Sequence, residues 1–414
     1  TLDECLTHFH DELGIEKDPN DCIIEYLTSI LNFQFSTENM APENIPTSET
    51  DLYSMWTDSS YYKKCKQEAA TDVTVRTDVN PDDITPKFSV PLKTQLEYCT
   101  RRAFQRIIGD QSYLISQFVS VVVQSLVIGS LFYDLPMTTI GSFSRGSLSF
   151  FSLLFFTFLA LTDMPATFQR KEVISKHVQL HFYYGSFETL AATCFDYTFK
   201  FILVVVFTII LYFLAHLQYN GARFFIFLLF LSFYNFSMIS LFSVTALVSP
   251  TLGIANMLAG ILLLGIAMYA SYVIHLEDMH PWFVWIAYVN PAMFAMEAIL
   301  SNELFNAKLD CTESIIPRGA DYGNISFTHK ACAWPGATLG NNYVRGQDYL
   351  KSGLKYTYHH VWRNFGILIG YLCFYLFCSL FISEFITPLY TRENLQRWEN
   401  WVHRHNYFAS DKKR

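Results

Sequence analysis

The sequence predicts an all-α membrane protein: six transmembrane helices, an amphipathic helix before the first, and a large loop before the last. Three observations carry that reading. The 414 residues are 51% hydrophobic and 17% aromatic but only 16% charged, whereas a soluble globular chain is about a quarter charged. The acidic and polar residues crowd into the first 110 positions and into 303–363, leaving dense apolar blocks between and after them. Several of those blocks approach or exceed the roughly 20 apolar residues that cross a hydrocarbon core of about 30 Å. The net charge of −8 argues against nucleic acid as a partner.

Taken in order, residues 1–34 (TLDECLTHFHDELGIEKDPNDCIIEYLTSILNFQ) read as short helices closing a domain that lies mostly before this chain. Residues 35–86 are acidic and rich in Ser, Thr and Pro, the composition of a mobile linker. Within 87–109, Leu92, Leu96, Ala103 and Ile107 recur at helical spacing opposite Lys93, Glu97, Arg101 and Arg102. That pattern predicts a helix lying along a membrane surface.

Uncharged runs then mark spans at 112–133, 146–162, 224–250, 251–274 and 364–383. A further run, 201–215, is short alone. It reaches spanning length if its helix begins near Glu188 and carries Asp196 and Lys200 inward, four residues apart and able to pair. Arginines 101, 102 and 106 precede the first span; Arg170, Lys171 and Lys176 lie between the second and third. The tail holds Arg392, Arg397, Arg404 and Lys412–Arg414, while the short opposite loops carry only Arg145 and Arg223. The positive-inside rule therefore predicts cytosolic termini and a cytosolic 163–185 segment. A long polar stretch in place of an N-terminal signal peptide agrees.

The loop at about 275–363 is then extracytoplasmic. It holds a glycosylation triplet at Asn324-Ile325-Ser326; a second triplet, at Asn235, falls inside the fourth span. Cys311 and Cys332 are the only two of nine cysteines on that side, and an oxidising exterior favours pairing them. The stretch HLEDMHPWFVWIAYVNPAMFAMEAILSNE (275–303) is apolar enough to suggest another crossing, but six-span parity forbids one. Pro281 suits a helix start, Pro291 a break, and Trp282, Phe283, Trp285 and Tyr288 an interfacial belt. The expectation is a re-entrant hairpin roofing the outer exit.

Motifs of soluble enzymes are missing. The sequence has no G-x-x-x-x-G-K-[ST], no H-E-x-x-H and no C-x-x-C, and the adjacent His359 and His360 face different sides of a helix. No metal is expected. Within the spans, Gln117, Ser120 and Gln124 form a polar stripe, and Gly253, Asn256, Gly260, Leu264, Ala267 and Ser271 a mainly small one. Both suit helix packing or the lining of a path. Phe150, Phe151, Phe155, Phe156 and Phe158 make a π-rich wall suited to a flat hydrophobic ligand, or to lipid.

Several segments resemble one family: CTRRAFQRIIGD, SLVIGSLFY, MYASYVI, MHPWFVWIAYVNP, AMEAILSNELF and VWRNFGI. In order and spacing they are similar to the first membrane domain of the pleiotropic drug resistance (PDR) group of fungal ABC transporters, G subfamily. The resemblance implies that 1–34 is the tail of a nucleotide-binding domain and 87–109 a connecting helix. It makes 110–384 a six-span ABC G-type transmembrane domain, and 385–414 a cytosolic linker to a second nucleotide-binding domain. GIEKDPNDCIIEYLTSILNFQF and ACAWPGATLGNNYVRGQDYL look like the yeast plasma-membrane sterol importers of this group. His275 stands where the drug pumps usually have proline.

The same resemblance implies ATP-driven movement of sterol across the plasma membrane, in the uptake direction. It also implies ATP and Mg in nucleotide-binding domains that partner this segment and a second transmembrane domain. No cofactor is implied for the segment itself. The path would be lined by Phe155, Phe158, Gly260, Leu264 and Ala267, with an outer constriction at Tyr272 and Val273. Arg170, Lys171 and Glu172 would meet the nucleotide-binding domain. The alternatives are an efflux pump for hydrophobic drugs or lipids, and a polytopic scaffold or receptor without transport.

Overall fold

A computed structural model describes residues 49–75, 90–311, 314–317 and 329–386. The chain divides into two compact units, Thr1–Pro86 and Lys87–Arg414. In the first, α1 (Glu49–Asp58) and α2 (Ser60–Val75) are helical. The Ser59 side chain accepts the Tyr62 N–H at 3.0 Å between them. The expected mobile linker 35–86 thus carries regular helix over half its length. Residues 1–34 and 387–414 lie outside the described residues.

The second unit begins with α3 (Leu92–Gly109), which stops where Asp110 caps α4 (Gln111–Leu131) by accepting the Tyr113 N–H at 3.1 Å. Thr138 caps α5 (Thr139–Thr162) in the same way. After one residue the chain continues as α6 (Met164–Gln179), with Pro165 in its first turn. α7 (Gly185–Leu214) has 30 residues, a length of about 45 Å, so it overshoots a bilayer core. Asn220 caps α8 (Gly221–Val248), and Thr251 caps α9 (Leu252–Met268). The last membrane helix is α13 (Val361–Phe381), after the short α10 (Val284–Val289), α11 (Pro291–Leu304) and α12 (Gly346–Tyr349).

Among the described residues six helices thus form the membrane domain: five are long and apolar enough to cross, and α9, with 17 residues, is shorter. The expected fifth span reached Ile274. Its helix instead ends at Met268, and Ser271 takes a left-handed backbone (φ 60°). α8 is the hub, packing on α13, α5, α11, α6, α7 and α9. Its buried face includes Phe230, Tyr234, Met238 and Phe242. We call the end that holds α3 and α6 the basic end, and the opposite one the loop end.

Three expectations about charge need correction. Arg145, expected in a short loop, sits inside α5. It is 1% exposed, because Glu303 of α11 meets its guanidinium at 2.5 Å. Asp196 and Lys200 do not pair with each other. Lys200 is drawn to Asp163 (2.8 Å) and Asp196 to Arg170 (3.2 Å), because the α5–α6 junction and α6 itself pack on α7 and offer closer partners than the next turn. Arg102, expected on the outward face of its helix, turns to α7 and pairs with Glu188 at 3.0 Å. The buried residues of α3 are Gln95, Cys99 and Ala103, while Leu92 and Leu96 stay exposed.

Within the 275–303 stretch two α-helices meet at Asn290. Its first helix starts at Val284, not at Pro281, which lies in the preceding turn. Asn290 makes the hinge, accepting the Ala292 N–H (3.0 Å) and donating to the Ile266 carbonyl of α9 (2.9 Å). Pro291 then opens α11, every residue of which is buried. Trp282, Phe283, Trp285 and Tyr288 are all exposed.

Beyond α11 the loop is pinned by two short antiparallel pairs. β1 (Lys308–Asp310) runs against β4 (Tyr343–Arg345) with Leu309 opposite Val344, and β2 (Ile315–Ile316) pairs β3 (Ala331–Cys332). Cys311 and Cys332 are disulfide-linked. Asn324 lies outside the described residues.

Gly346, at the start of α12, carries the closest approach: a Cβ there would sit 1.8 Å from the Leu304 carbonyl oxygen. Backbone cannot yield as a flexible side chain can, so Gly346→Ala is expected to cost at least the about 1–3 kcal/mol of overpacking. A lowered unfolding temperature of the complete, detergent-solubilised protein would measure it; an unchanged one would contradict the docking described.

Candidate functional site

Two features could serve transport: an open apolar face on α5 and α9, and a charged cluster at the basic end. On α5 the outward residues are Phe143, Ser147, Phe151, Leu154 and Phe158, spaced by four, four, three and four, which keeps them on one side of a helix. Ser142, Ser149, Ser152 and Thr157 of α5 are turned inward and consumed. Ser149 and Ser152 donate to carbonyls one turn back, and Thr157 meets the buried Tyr234 hydroxyl. On α9 the small Ala255 and Ala259 pack inward, leaving Met257, Ile261, Leu264 and Met268 exposed.

The expected path residues do not all share that face. Phe158 and Leu264 stand on it (47% and 65% exposed). Gly260 is open too, since a Cβ there would meet nothing within 4 Å. Ala267 is half-buried. Phe155 turns instead toward α7, stacked on Phe207 with centroids 5.2 Å apart. Val273 is exposed, whereas Tyr272 folds back onto α5 between Phe143 and Phe150. There its hydroxyl meets the Ser147 hydroxyl at 2.9 Å. Phe143, Gly146 and Ser147 were missed, although the four-residue spacing of Phe143 and Ser147 to Phe151 was available to find that face. The Gln117 of the polar stripe is spent on packing, accepting from Lys200 (3.1 Å) and donating to Thr162 (3.3 Å).

At the basic end, Arg102 and Arg106 of α3 converge on Oε1 of the buried Glu188, at 3.0 and 3.1 Å. Arg102 also donates to the Tyr183 hydroxyl (2.7 Å), which lies 2.7 Å from His177 Nδ1. Burial, then the Glu188 carboxylate, push the Cys99 thiol up to about 11. Burial would lower the Arg102 guanidinium, but its bond and attraction to Glu188 outweigh that and raise it. Burial, helped by the Arg102 charge, lowers His177, and burial raises Tyr183.

A cavity of about 490 Å³ opens beside this cluster, between α3, α6 and α7. Of the expected coupling residues, Arg170 is held by Asp196 and the buried Lys171 donates to the Ser249 carbonyl at 2.9 Å. Glu172 is exposed. Among the described residues no three His, Cys, Asp or Glu side chains gather as a metal site.

The family model described as ABC-2 type transporter matches residues 94–304, and that described as CDR ABC transporter matches 316–396. The chain is 70% identical to the ATP-dependent permease PDR11 of Saccharomyces cerevisiae, an alignment covering 100% of this chain and 30% of the relative. It is 61% identical to the ATP-dependent permease AUS1 of the same yeast, over 96% of this chain and 30% of the relative. Identity to the yeast protein SNQ2 is 37%, over 73% and 20%. The chain thus spans about 30% of the length of the first two. With the family match running from α3 through α11 and six membrane helices in place, this chain belongs to the ABC-2 type transporter family, as a membrane domain of the fungal pleiotropic drug resistance group.

Proposed function

We propose that this chain is the transmembrane domain of an ATP-driven transporter that moves sterol across the plasma membrane, in the uptake direction. The observation that carries the reading is the open face of α5 and α9: mostly aromatic and aliphatic, uncharged, with Tyr272 stacked onto α5 at the loop end. A rigid, flat, nearly apolar ligand suits such a wall, because stacking and area burial are all the wall offers. The high identity to two proteins named ATP-dependent permeases supports the transport class.

ATP and Mg would act in nucleotide-binding domains outside this segment. Those domains would meet the basic end through the exposed Glu172 and its surroundings, with Arg170 and Lys171 holding α6 against the bundle. The arginines of α3 and the cations of α6 support a cytosolic position for that end. The disulfide-linked loop, with the Asn324 triplet, would face outside.

The test is sterol uptake by cells unable to make sterol. Deleting the complete gene should abolish uptake; unimpaired uptake, with lost resistance to hydrophobic drugs, would favour efflux. Phe158→Ala should then lower uptake several-fold at unchanged surface amount. Phe155→Ala should lower the surface amount itself, since it removes the stack on Phe207 and opens a void. Equal loss of surface protein in both would mean that Phe158 only packs.

A further inference from the structure

We propose that Ser147 and Tyr272 form a hydroxyl-accepting subsite that orients a flat apolar alcohol with its lone hydroxyl toward the loop end. The proposal rests on the transport reading above and goes beyond it by naming the polar group of the ligand that is recognised and the side chains that do so.

Three oxygens meet at this point. The Ser147 and Tyr272 hydroxyls are 2.9 Å apart, and both reach the Phe143 carbonyl, at 3.2 and 3.0 Å. Two hydroxyls supply two hydrogens and four lone pairs. Both hydrogens are already committed within the trio, to the carbonyl or to each other. At most one of the four hydroxyl lone pairs is used in doing so. The group is therefore saturated as a donor and open as an acceptor. A ligand O–H can donate into it without breaking anything. A ketone or ether oxygen has no hydrogen to give and finds none on offer.

The subsite is built rather than incidental. The Tyr272 ring is held between Phe150 and Phe143, at centroid distances of 5.5 and 6.2 Å. Gly146 leaves the room for it, since a Cβ there would fall 2.7 Å from Tyr272 Cε2. The left-handed turn at Ser271, which swings Tyr272 over α5, has its carbonyl held by the buried Tyr356 hydroxyl at 2.6 Å. Ser147 and Tyr272 are not closed off from the surface, so a ligand atom can reach them. From Ser147 to Phe158 the outward face of α5 is Phe151, Leu154 and Phe158, about 16 Å of helix with no polar side chain turned out. Along α5 a ligand hydroxyl has this one place to be satisfied, the exposed Asn256 of α9 lying toward the basic end, and leaving that hydroxyl unpaired would be costly.

The experiment compares uptake of a 3-hydroxysterol with that of its 3-methyl ether and its 3-ketone, by sterol-requiring cells carrying the complete protein. The wild type should prefer the alcohol by about tenfold, the scale of one buried hydrogen bond. Ser147→Ala and Tyr272→Phe together should bring that preference to within about twofold, at unchanged surface amount, because both keep the apolar packing. If the double variant is not delivered to the surface, the ratio is read on each single variant, which should narrow it in part. A wild type that takes up all three sterols equally, or variants that keep the full preference, would overturn the subsite and leave sterol transport standing. A wild type that takes up none would overturn both.

Discussion

Glu303→Ala is expected to strip most of the protein from the cell surface, by a loss of about 3–5 kcal/mol. Glu303 is 5% exposed and Arg145 1% exposed. Removing the carboxylate leaves a guanidinium stranded among α5, α11 and the turn between α7 and α8. The damage also spreads beyond the pair. Arg145 donates to the Leu135 and His216 carbonyls at 2.5 and 3.1 Å, and Glu303 Oε1 also accepts the Gln218 N–H at 3.1 Å. One ion pair thus ties four chain segments at the loop end. Arg145→Met should be comparably harmful, since it orphans both carbonyls and leaves the buried carboxylate with the Gln218 N–H but no counter-charge. The double variant Arg145→Met/Glu303→Met should recover only part of the loss: it removes both charges but leaves those backbone groups without partners. Surface labelling and thermal unfolding of the complete protein would check this. Full recovery in the double variant would show that the charges matter only to each other.

The same pair shows what was legible in the sequence and what was not. Helix positions follow from apolar runs, and the spans of α4, α8 and α13 are placed within a few residues because the bilayer demands a minimum length. Charges break such runs, so α5 is expected to start at 146, which leaves Arg145 in a loop. Its partner lies 158 positions away, a separation no local pattern encodes. Lys200 and Asp196 repeat the lesson: spacing of four makes them candidates for each other, yet the return of α6 against α7 supplies better partners to both. The break of 275–303 into two helices is readable through proline chemistry, which is a strict constraint. The inward turn of Phe155 is not, because a helix nearly all apolar in its second half has no contrast by which to tell its faces apart. Ser147 could be found from the four-residue spacing of Phe143, Ser147 and Phe151. Its value as an acceptor depends on Tyr272, however, which reaches it only through the turn at Ser271.

Asp163→Ala is the second change expected to act strongly, and its effect should reach function as well as folding. Asp163 is the single residue between α5 and α6, the point at which the helix proposed to line the path passes into the segment proposed to meet the nucleotide-binding domain. Its carboxylate accepts Lys200 Nζ at 2.8 Å and the Tyr113 hydroxyl at 2.7 Å, and Lys200 also donates to Gln117. Helices α4, α5 and α7 are therefore locked together at one spot. Lys200 is 1% exposed, so losing its counter-charge leaves a buried cation, again about 3–5 kcal/mol. Lys200→Met should be milder. The carboxylate it leaves is partly exposed, with 13% of its side chain accessible, and it still has the Tyr113 hydroxyl. Asp163→Asn separates folding from coupling: the amide oxygen can still accept from Tyr113 and Lys200, while the charge is gone. If the ion pair transmits movement of α6 into α5, Asp163→Asn should reach the surface near wild-type amount, hydrolyse ATP, and take up substrate several-fold more slowly. Uptake and hydrolysis falling together would instead make the network a fastening only, with no part in carrying motion from one helix to the next.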